Sequence, residues 1–180
     1  MKQLLLSFSL WFLSFSLFAQ HYIPVSKNSE VTFHIKNFGL TTDGNFGGLK
    51  GDLYFNPKNL ENASIEMSVE ANTVFTKNKK RDEHLMREDF FYAEKFPTIY
   101  ITSSSITAPK ENGLFTFDGT LLMRGISKKI QFEFSAKQLT VGYLFEGNFK
   151  INREDFGVGK GYFSLSDDVK INFSISTDRK

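Results

Sequence analysis

The sequence predicts an all-β protein: an eight-stranded antiparallel β-barrel with one short helix between strands. Apolar and polar residues alternate with a period of two from residue 29 onward, which is typical of strands with one buried face. About eight such runs follow one another with short, turn-forming connections, and only one segment has a helical pattern. Consecutive short connections favour an antiparallel meander, and closure into a barrel removes the exposed edges of the sheet. A two-sheet sandwich is the alternative architecture.

Glycine, proline and asparagine occur between the alternating runs, where they predict the connections. In chain order the runs cover residues 31–35, 49–55, 63–69, 99–101, 115–123, 130–134, 143–151 and 169–175. Turn-forming residues predict connections at 43–44, 56–57, 109–113 and 157–161. Gly47, Gly48, Gly51 and Gly119 lie within or beside runs and predict bends or bulges of curved strands.

The one helical segment is residues 78–87, between the third and fourth runs. Asn78 is a suitable N-cap, good helix formers follow it, and Glu83 and Arg87 have the i,i+4 spacing of a helical ion pair. Pro97 ends any continuation and returns the chain to a strand.

Composition limits the classes of function. The chain has 180 residues, 41% hydrophobic and 23% charged, which fits one globular domain rather than a disordered chain. A formal net charge of +2 provides no broad basic field, so nucleic acid is not an expected partner. The chain has no cysteine, which excludes disulfides, thiolate catalysis and cysteine-ligated zinc.

The first 19 residues have the pattern of a secretory signal peptide. A single cation, Lys2, precedes an apolar stretch over residues 4–18 and the small residue Ala19. An uncleaved anchor is the alternative, but the apolar stretch is shorter than the roughly 20 residues that span a bilayer, and serines interrupt it. We therefore expect a signal peptide over residues 1–19 and a mature domain over 20–180, in the periplasm or secreted.

One face of the predicted strands carries large apolar side chains and no charge. These residues are Phe33, Ile35, Phe55, Met67, Val69, Ile99, Ile101, Phe115, Phe117, Phe132, Phe134, Phe145, Phe149 and Phe173. An eight-stranded barrel is either just filled by its side chains or holds one small ligand. The alternation alone allows both a filled barrel that acts through its outer surface and an open lumen. An open lumen of this composition suits hydrocarbon, whose burial is worth about 0.8 kcal/mol per CH₂.

Five motifs, in their order and spacing, resemble the YceI-like family of polyisoprenoid-binding proteins over about residues 22–177. They are GNFGGLKGDLYFNPKNL, RDEHL with the following DFF, KFPTIYITS, GTLLMRGISKKI, and INREDFG leading into SDDVKI. The resemblance implies an exported bacterial protein with a lipocalin-like barrel whose apolar lumen holds a long isoprenoid or similar amphipathic chain. It implies a non-enzymatic carrier, storage or sequestering protein with no cofactor and no metal, whose partner is the lipid itself.

The RDEHL motif also allows an enzyme hypothesis, with His84 as a general base oriented by Asp82 in a lipid hydrolase or isomerase. Neighbouring residues on a helix point about 100° apart, so Asp82, Glu83 and His84 are poorly placed to bind one metal ion together. The chain also contains neither paired metal-ligand spacing nor the GxSxG motif of a hydrolase nucleophile. In the structural interpretation, Arg81 and Asp82 anchor the helix to the barrel while Leu85 covers an opening.

Two other charged groups have alternative roles. Arg153 and Asp155 are either ligand head-group contacts at the barrel mouth or partners of each other or of Asp167 and Asp168. The cations at residues 77–81 are most simply a solvated helix face, and a transient contact with an anionic membrane surface is the alternative.

Overall fold

A computed structural model describes residues 19–109 and 113–180. The predicted signal peptide lies outside the described residues except for Ala19, and so do residues 110–112 of the predicted turn at 109–113. The strands are β1 Gln20–Pro24, β2 Glu30–Asn37, β3 Leu40–Phe46, β4 Lys50–Phe55, β5 Ser64–Glu70, β6 Thr98–Thr107, β7 Phe115–Met123, β8 Ile126–Gln138, β9 Tyr143–Asn152 and β10 Leu165–Arg179. The α-helix α1 covers Lys79–Leu85, and short 3₁₀ turns cover Ser26–Asn28, Ala71–Thr73 and Glu154–Phe156.

The sheet closes into an antiparallel barrel of eight strands. β4 to β10 pair in chain order, and β1 joins the two ends because it pairs with both β4 and β10. β10 is long enough to pair with β1 near its end and with β2 over Leu165 to Ser174, and β3 continues the sheet outward from β2. The predicted barrel with a short helix between strands is therefore confirmed, with one additional hairpin arm.

The sequence does not predict strands β1 and β3, and one predicted turn is wrong. β1 has only five residues and a proline, too little for an alternation pattern. The turn predicted at Asp43 and Gly44 is wrong because both residues lie inside β3. A side chain at Gly44 would collide with the Phe33 ring, so this glycine permits close packing in a strand. The chain reverses instead at Phe38 and Gly39, whose φ angles are 47° and 79°.

The predicted bend and helix are present. The register between β6 and β7 shifts between Ser103 and Ser105, opposite Gly119, which is a β-bulge or irregularity of the expected kind. The helix begins after Asn78, whose side-chain oxygen accepts a 3.2 Å hydrogen bond from the Arg81 N–H. Helical structure ends at Leu85, so Arg87 lies beyond the helix and the ion pair observed in α1 is Lys79 with Glu83.

Packed aromatic rings close one end of the barrel. The Phe55 side chain is fully buried, and its ring contacts Phe115, Tyr143 and Phe145 edge-to-face at centroid distances of 5.2–5.3 Å. Phe134 packs against the same group, with a centroid distance of 6.5 Å from Phe55. We call these five residues the aromatic plug. Edge-to-face contacts of this kind add to the free energy of burial, so this end is a solid core.

We expect truncation of the plug to cost more than truncation of the barrel wall. Phe55→Ala should lower the free energy of unfolding by about 3–5 kcal/mol, as for a fully buried phenylalanine. Phe132 is only half-buried, so Phe132→Ala should cost less than about 3 kcal/mol. Urea denaturation of both variants measures the difference, and equal losses would contradict a barrel that is packed at one end only.

Candidate functional site

An apolar cavity of about 350 Å³ occupies the barrel beyond the aromatic plug. Twelve of the fourteen predicted lumen residues line it: Phe33, Ile35, Met67, Val69, Ile99, Ile101, Phe117, Phe132, Phe134, Phe145, Phe149 and Phe173. Phe55 and Phe115 are not among the lining side chains, because they pack inside the plug with the rings around them. The interior is thus divided into a filled end and an open end.

Stacked aromatic rings form one wall of the cavity. The Phe132 ring lies parallel to Phe117 and Phe149 at centroid distances of 4.6 and 4.7 Å and meets the edge of Phe173 at 5.5 Å. A side chain at Gly147 would meet the Phe173 ring, so the glycine lets this ring lie against the strand. The wall is packed within itself and leaves the centre of the barrel open.

Helix α1 and its flanking loops border the mouth. Arg81, His84 and Leu85 all line the cavity. Asp82 accepts hydrogen bonds of 2.8 and 2.5 Å from the N–H and hydroxyl of the buried Thr76, and the Arg81 guanidinium donates to Thr76 Oγ1 and Thr76 O at 2.7 Å. These contacts anchor the start of α1 to the loop that leaves β5.

His84 belongs to a polar cluster with Asp89 and Tyr162, not with Asp82. Its Nε2 lies 2.8 Å from Asp89 Oδ2, and the Tyr162 hydroxyl donates to the same oxygen at 2.6 Å. Asp82 is occupied by Thr76, so the pair required by the enzyme hypothesis is not formed. The cluster connects the segment after α1 to the loop before β10.

The charge of Asp89 is stabilised by this cluster. Partial burial alone would raise the pKa of Asp89, but hydrogen bonds from Tyr162, His84 and the Asp89 backbone, together with the attraction of His84, hold this pKa below its ordinary value. The same hydrogen bond to Asp89 raises the pKa of the Tyr162 hydroxyl. At neutral pH the cluster therefore contains a carboxylate that accepts and a phenol that donates.

Arg153 is buried and organises the loop before β10. Only 3% exposed, its guanidinium donates to five backbone carbonyls, those of Val158, Gly159, Tyr162, Leu165 and Ser166, and to Asp167 Oδ1 at 3.0 Å. Arg153 also borders the cavity, while Asp155 pairs with Lys128 at 3.6 Å on the surface. Of the partners considered from the sequence, Arg153 takes Asp167 and does not pair with Asp155.

The sequence analysis assigned no role to three residues that connect the loops at the mouth, Arg124, Asp89 and Tyr162. Arg124 donates to the carbonyls of Glu88 and Gly157, and the Gly159 N–H donates to the Asp89 carbonyl at 2.8 Å. With Asp89 and Tyr162, these contacts join two loops that are about 70 residues apart in sequence. The only sequence signals were a DFF motif, an MRG turn and a glycine-rich loop, none of which specifies a partner.

The described residues contain neither a metal-binding cluster nor a membrane-spanning helix. Over 19–109 and 113–180, no group of three or more His, Asp or Glu side chains is placed to hold a metal ion. The one α-helix found in this part of the chain is too short to cross a membrane.

A closed eight-stranded antiparallel barrel with an apolar cavity, bordered by a short helix, defines the class of lipocalin-like barrels. The chain belongs to the YceI-like family, because the family model described as the YceI-like domain matches residues 22–177. The resemblance seen in the sequence motifs is thus confirmed.

Relatives match over most of their length. A Pseudomonas fluorescens protein named UPF0312 protein is 35% identical over 160 residues, covering 82% of this chain and 81% of the relative. Protein YceI of Salmonella arizonae is 29% identical, covering 97% of both chains.

Solved structures share the fold. Burkholderia cenocepacia BcnA has a TM-score of 0.79 at 23% identity, covering 84% of this chain and 98% of its own. A polyisoprenoid binding domain from Saccharophagus degradans, implicated in plant cell wall breakdown, has a TM-score of 0.70 at 14% identity, covering 88% of this chain and 98% of its own.

We expect Tyr162→Phe to raise the pKa of Asp89, because the variant removes one of the hydrogen bonds that stabilise the carboxylate. A lowered folded-state pKa contributes stability above the unfolded-state pKa, and this contribution is lost as pH falls through the folded-state pKa. A carboxyl NMR titration of Asp89 measures the change. Tyr54→Phe is the control, because Tyr54 lies on strand β4 and is not part of the cluster. An unchanged Asp89 pKa in Tyr162→Phe would show that the Tyr162 hydroxyl does not stabilise the Asp89 carboxylate.

We expect Arg153→Met to lower the free energy of unfolding by at least about 3 kcal/mol, because buried carbonyls lose their donor. Glu154→Gln is the matched control: Glu154 is a partly exposed neighbour 3.5 Å from the guanidinium, so its loss should cost less than about 1 kcal/mol. Urea denaturation provides both values. Similar losses in the two variants would show that Arg153 does not organise the loop.

Proposed function

We propose that this protein binds a polyisoprenoid or a similar long amphipathic chain inside its barrel and acts as a carrier, store or sequestering protein. The observation that carries the proposal is the apolar cavity, whose volume of about 350 Å³ lies within the roughly 300–1,000 Å³ typical of ligand sites. Its walls are phenylalanine, isoleucine, valine and methionine, which favour hydrocarbon over a sugar or nucleotide. The Saccharophagus degradans neighbour, described as a polyisoprenoid binding domain, supports this ligand class.

The energetics favour a long chain. A tail of ~10 carbons gains ~8 kcal/mol from burial at about 0.8 kcal/mol per CH₂, whereas association costs ~4–15 kcal/mol in lost motion. Useful affinity therefore requires more methylene and methyl groups than a short fatty or terpene fragment supplies. A polar end of such a chain would remain at the mouth, where Arg81, His84, Arg153 and Tyr162 are among the residues that line the cavity.

We also propose export with removal of residues 1–19, which the leader pattern supports. In the periplasm or outside the cell, an enclosed lipid would be shielded from water between membranes. N-terminal sequencing of protein recovered from the cell envelope should begin near Gln20, and a start at Met1 would contradict this part of the proposal.

The enzyme alternative has a separate test. Because His84 engages Asp89 and Tyr162 at the mouth, we assign it a role in holding the mouth loops rather than in proton transfer to a lipid. An isoprenoid incubated with the protein should be recovered chemically unchanged, and His84→Ala should retain lipid binding. A product formed by the unsubstituted protein and lost in His84→Ala would instead establish catalysis.

We expect a variant that fills the cavity to lose ligand. Ile101 lines the cavity, whereas Leu122, on the adjacent strand β7, is 36% exposed on the outer face. Ile101→Trp should weaken binding of an added long-chain polyprenol by at least about tenfold, while Leu122→Trp should leave it unchanged. Calorimetric titration measures both affinities, and thermal unfolding checks that each variant is folded. Equal affinity in Ile101→Trp and Leu122→Trp would place the ligand outside the barrel.

A further inference from the structure

The largest exposed apolar side chains lie together on two loops. Phe38 and Leu40 are each 76% exposed and Phe163 is 95% exposed, more than any other large apolar residue among those described. We call these three residues the rim patch. Isolated surface hydrophobics are ordinary, but a group of this exposure usually marks an interaction site.

The two loops that carry the rim patch are adjacent at the mouth of the cavity. The Phe38 N–H donates to the Ser164 carbonyl at 2.9 Å, which joins the β2–β3 turn to the loop before β10. Asn37, Tyr162 and Ser164, the chain neighbours of Phe38 and Phe163, all line the cavity. The rim patch is therefore continuous with the cavity opening and projects from the end opposite the aromatic plug.

The backbone at Phe38 indicates that the exposed ring is not there for folding. Its φ of 47° lies in the left-handed region, which is uncommon for a bulky side chain. Two-residue hairpin turns of this kind favour asparagine before glycine, and here phenylalanine stands before Gly39. Phe38 is unfavourable in this turn, and because its ring lies in solvent it adds no packing to the core.

The charges within the two segments that carry the rim patch are positive. Residues 36–42 and 157–165 contain Lys36 and Lys160, both exposed, and no carboxylate. Four carboxylates lie just outside these two segments: Asp89 is bound by Tyr162 and His84, Asp167 by Arg153 and Asp43 by His34, while Asp168 is exposed next to Asp167. Apolar side chains on loop tips flanked by lysines match the surface of a bilayer that contains anionic lipid.

We propose that the rim patch docks this protein onto an anionic phospholipid bilayer. Phe38, Leu40 and Phe163 enter the boundary between head groups and acyl chains, while Lys36 and Lys160 face lipid phosphates. The docked orientation turns the cavity mouth toward the bilayer, so a lipid chain can pass between membrane and lumen without crossing water. That consequence rests on the proposed function, whereas docking itself does not require a bound lipid.

A second copy of the chain is a poorer partner for this surface. In a two-fold contact the same patch meets itself, which would bring the lysines of both copies together. Phe38 and Leu40 lie at the β2–β3 turn and Phe163 lies on the loop before β10, so the patch is formed by two chain reversals rather than by a flat sheet face, and a deformable lipid surface can accommodate it.

The absence of tryptophan from residues 20–180 allows a direct test, because Trp11 is the only tryptophan of the chain. Phe163→Trp places a probe in the rim patch, and Val141→Trp places a matched probe on the β8–β9 turn at the plug end, where Val141 is 59% exposed. The vesicles contain about three parts phosphatidylethanolamine to one part phosphatidylglycerol and no isoprenoid. Difference spectra against the unsubstituted protein remove any contribution from the leader.

Docking predicts a blue-shifted, lipid-quenchable emission for Phe163→Trp and an unchanged emission for Val141→Trp. It also predicts that the Phe38→Ser, Phe163→Ser double variant sediments with these vesicles at least about tenfold less than the Leu139→Ser, Val141→Ser control, because the burial of two phenylalanines is lost. Thermal unfolding confirms that both double variants are folded.

Two results would overturn the proposal. The first is a Phe163→Trp emission that vesicles do not change, or change no more than that of Val141→Trp. The second is a concentration-dependent dimer that the Phe38→Ser, Phe163→Ser variant abolishes while vesicle binding is unaffected, which would assign the patch to self-association. Because the vesicles lack isoprenoid, a failure of cargo binding in the Ile101→Trp experiment would leave these outcomes unchanged.

Discussion

The buried Phe55 ring and the aromatic residues around it determine how the rest of the barrel can be used. An eight-stranded barrel has an interior that side chains can just fill, and at this end five aromatic rings fill it. β1 closes the ring of strands beside the plug through Tyr22, which pairs with β4 and β10 and packs against Tyr143. Because the plug fills this end of the interior, the apolar cavity occupies the remainder of the barrel and is bordered by α1 and the loop before β10.

The open end therefore carries the polar organisation. Arg153 draws the loop before β10 around its guanidinium, and Tyr162 of that loop reaches Asp89 and His84 across the mouth. A buried guanidinium is tolerated here because backbone carbonyls and one carboxylate satisfy its donors. The interior behind the mouth needs no polar group, and its twelve predicted wall residues supply only apolar surface. Structure and chemistry are separated: hydrogen bonds shape the entrance, and hydrocarbon surface forms the lumen.

Alternation of apolar and polar residues predicted most of the strands and most of the interior wall, but it left a sandwich open as the alternative to a barrel. Side chains of one parity must face the same side of a strand, so Phe117, Phe132 and Phe149 could be assigned to the interior without knowing strand pairing. The alternation could not distinguish plug residues from cavity-lining residues. Phe55 and Phe132 both occupy inward-facing positions of their strands, and they differ only in that Phe55 is surrounded by other rings whereas Phe132 faces the cavity. β3 was missed because the Asp43-Gly44 pair resembles a turn, although Gly44 permits the close approach of Phe33. The pairing of His84 with Asp89 and Tyr162 depends on two distant loops meeting, which local spacing cannot specify.

Native mass spectrometry of protein purified from its own cell envelope without detergent shows whether the cavity holds a long hydrocarbon chain. We expect one discrete long-chain isoprenoid per protein molecule, released intact by organic extraction. Apo protein that also takes up no added isoprenoid would show that the apolar cavity of about 350 Å³ is not an isoprenoid site.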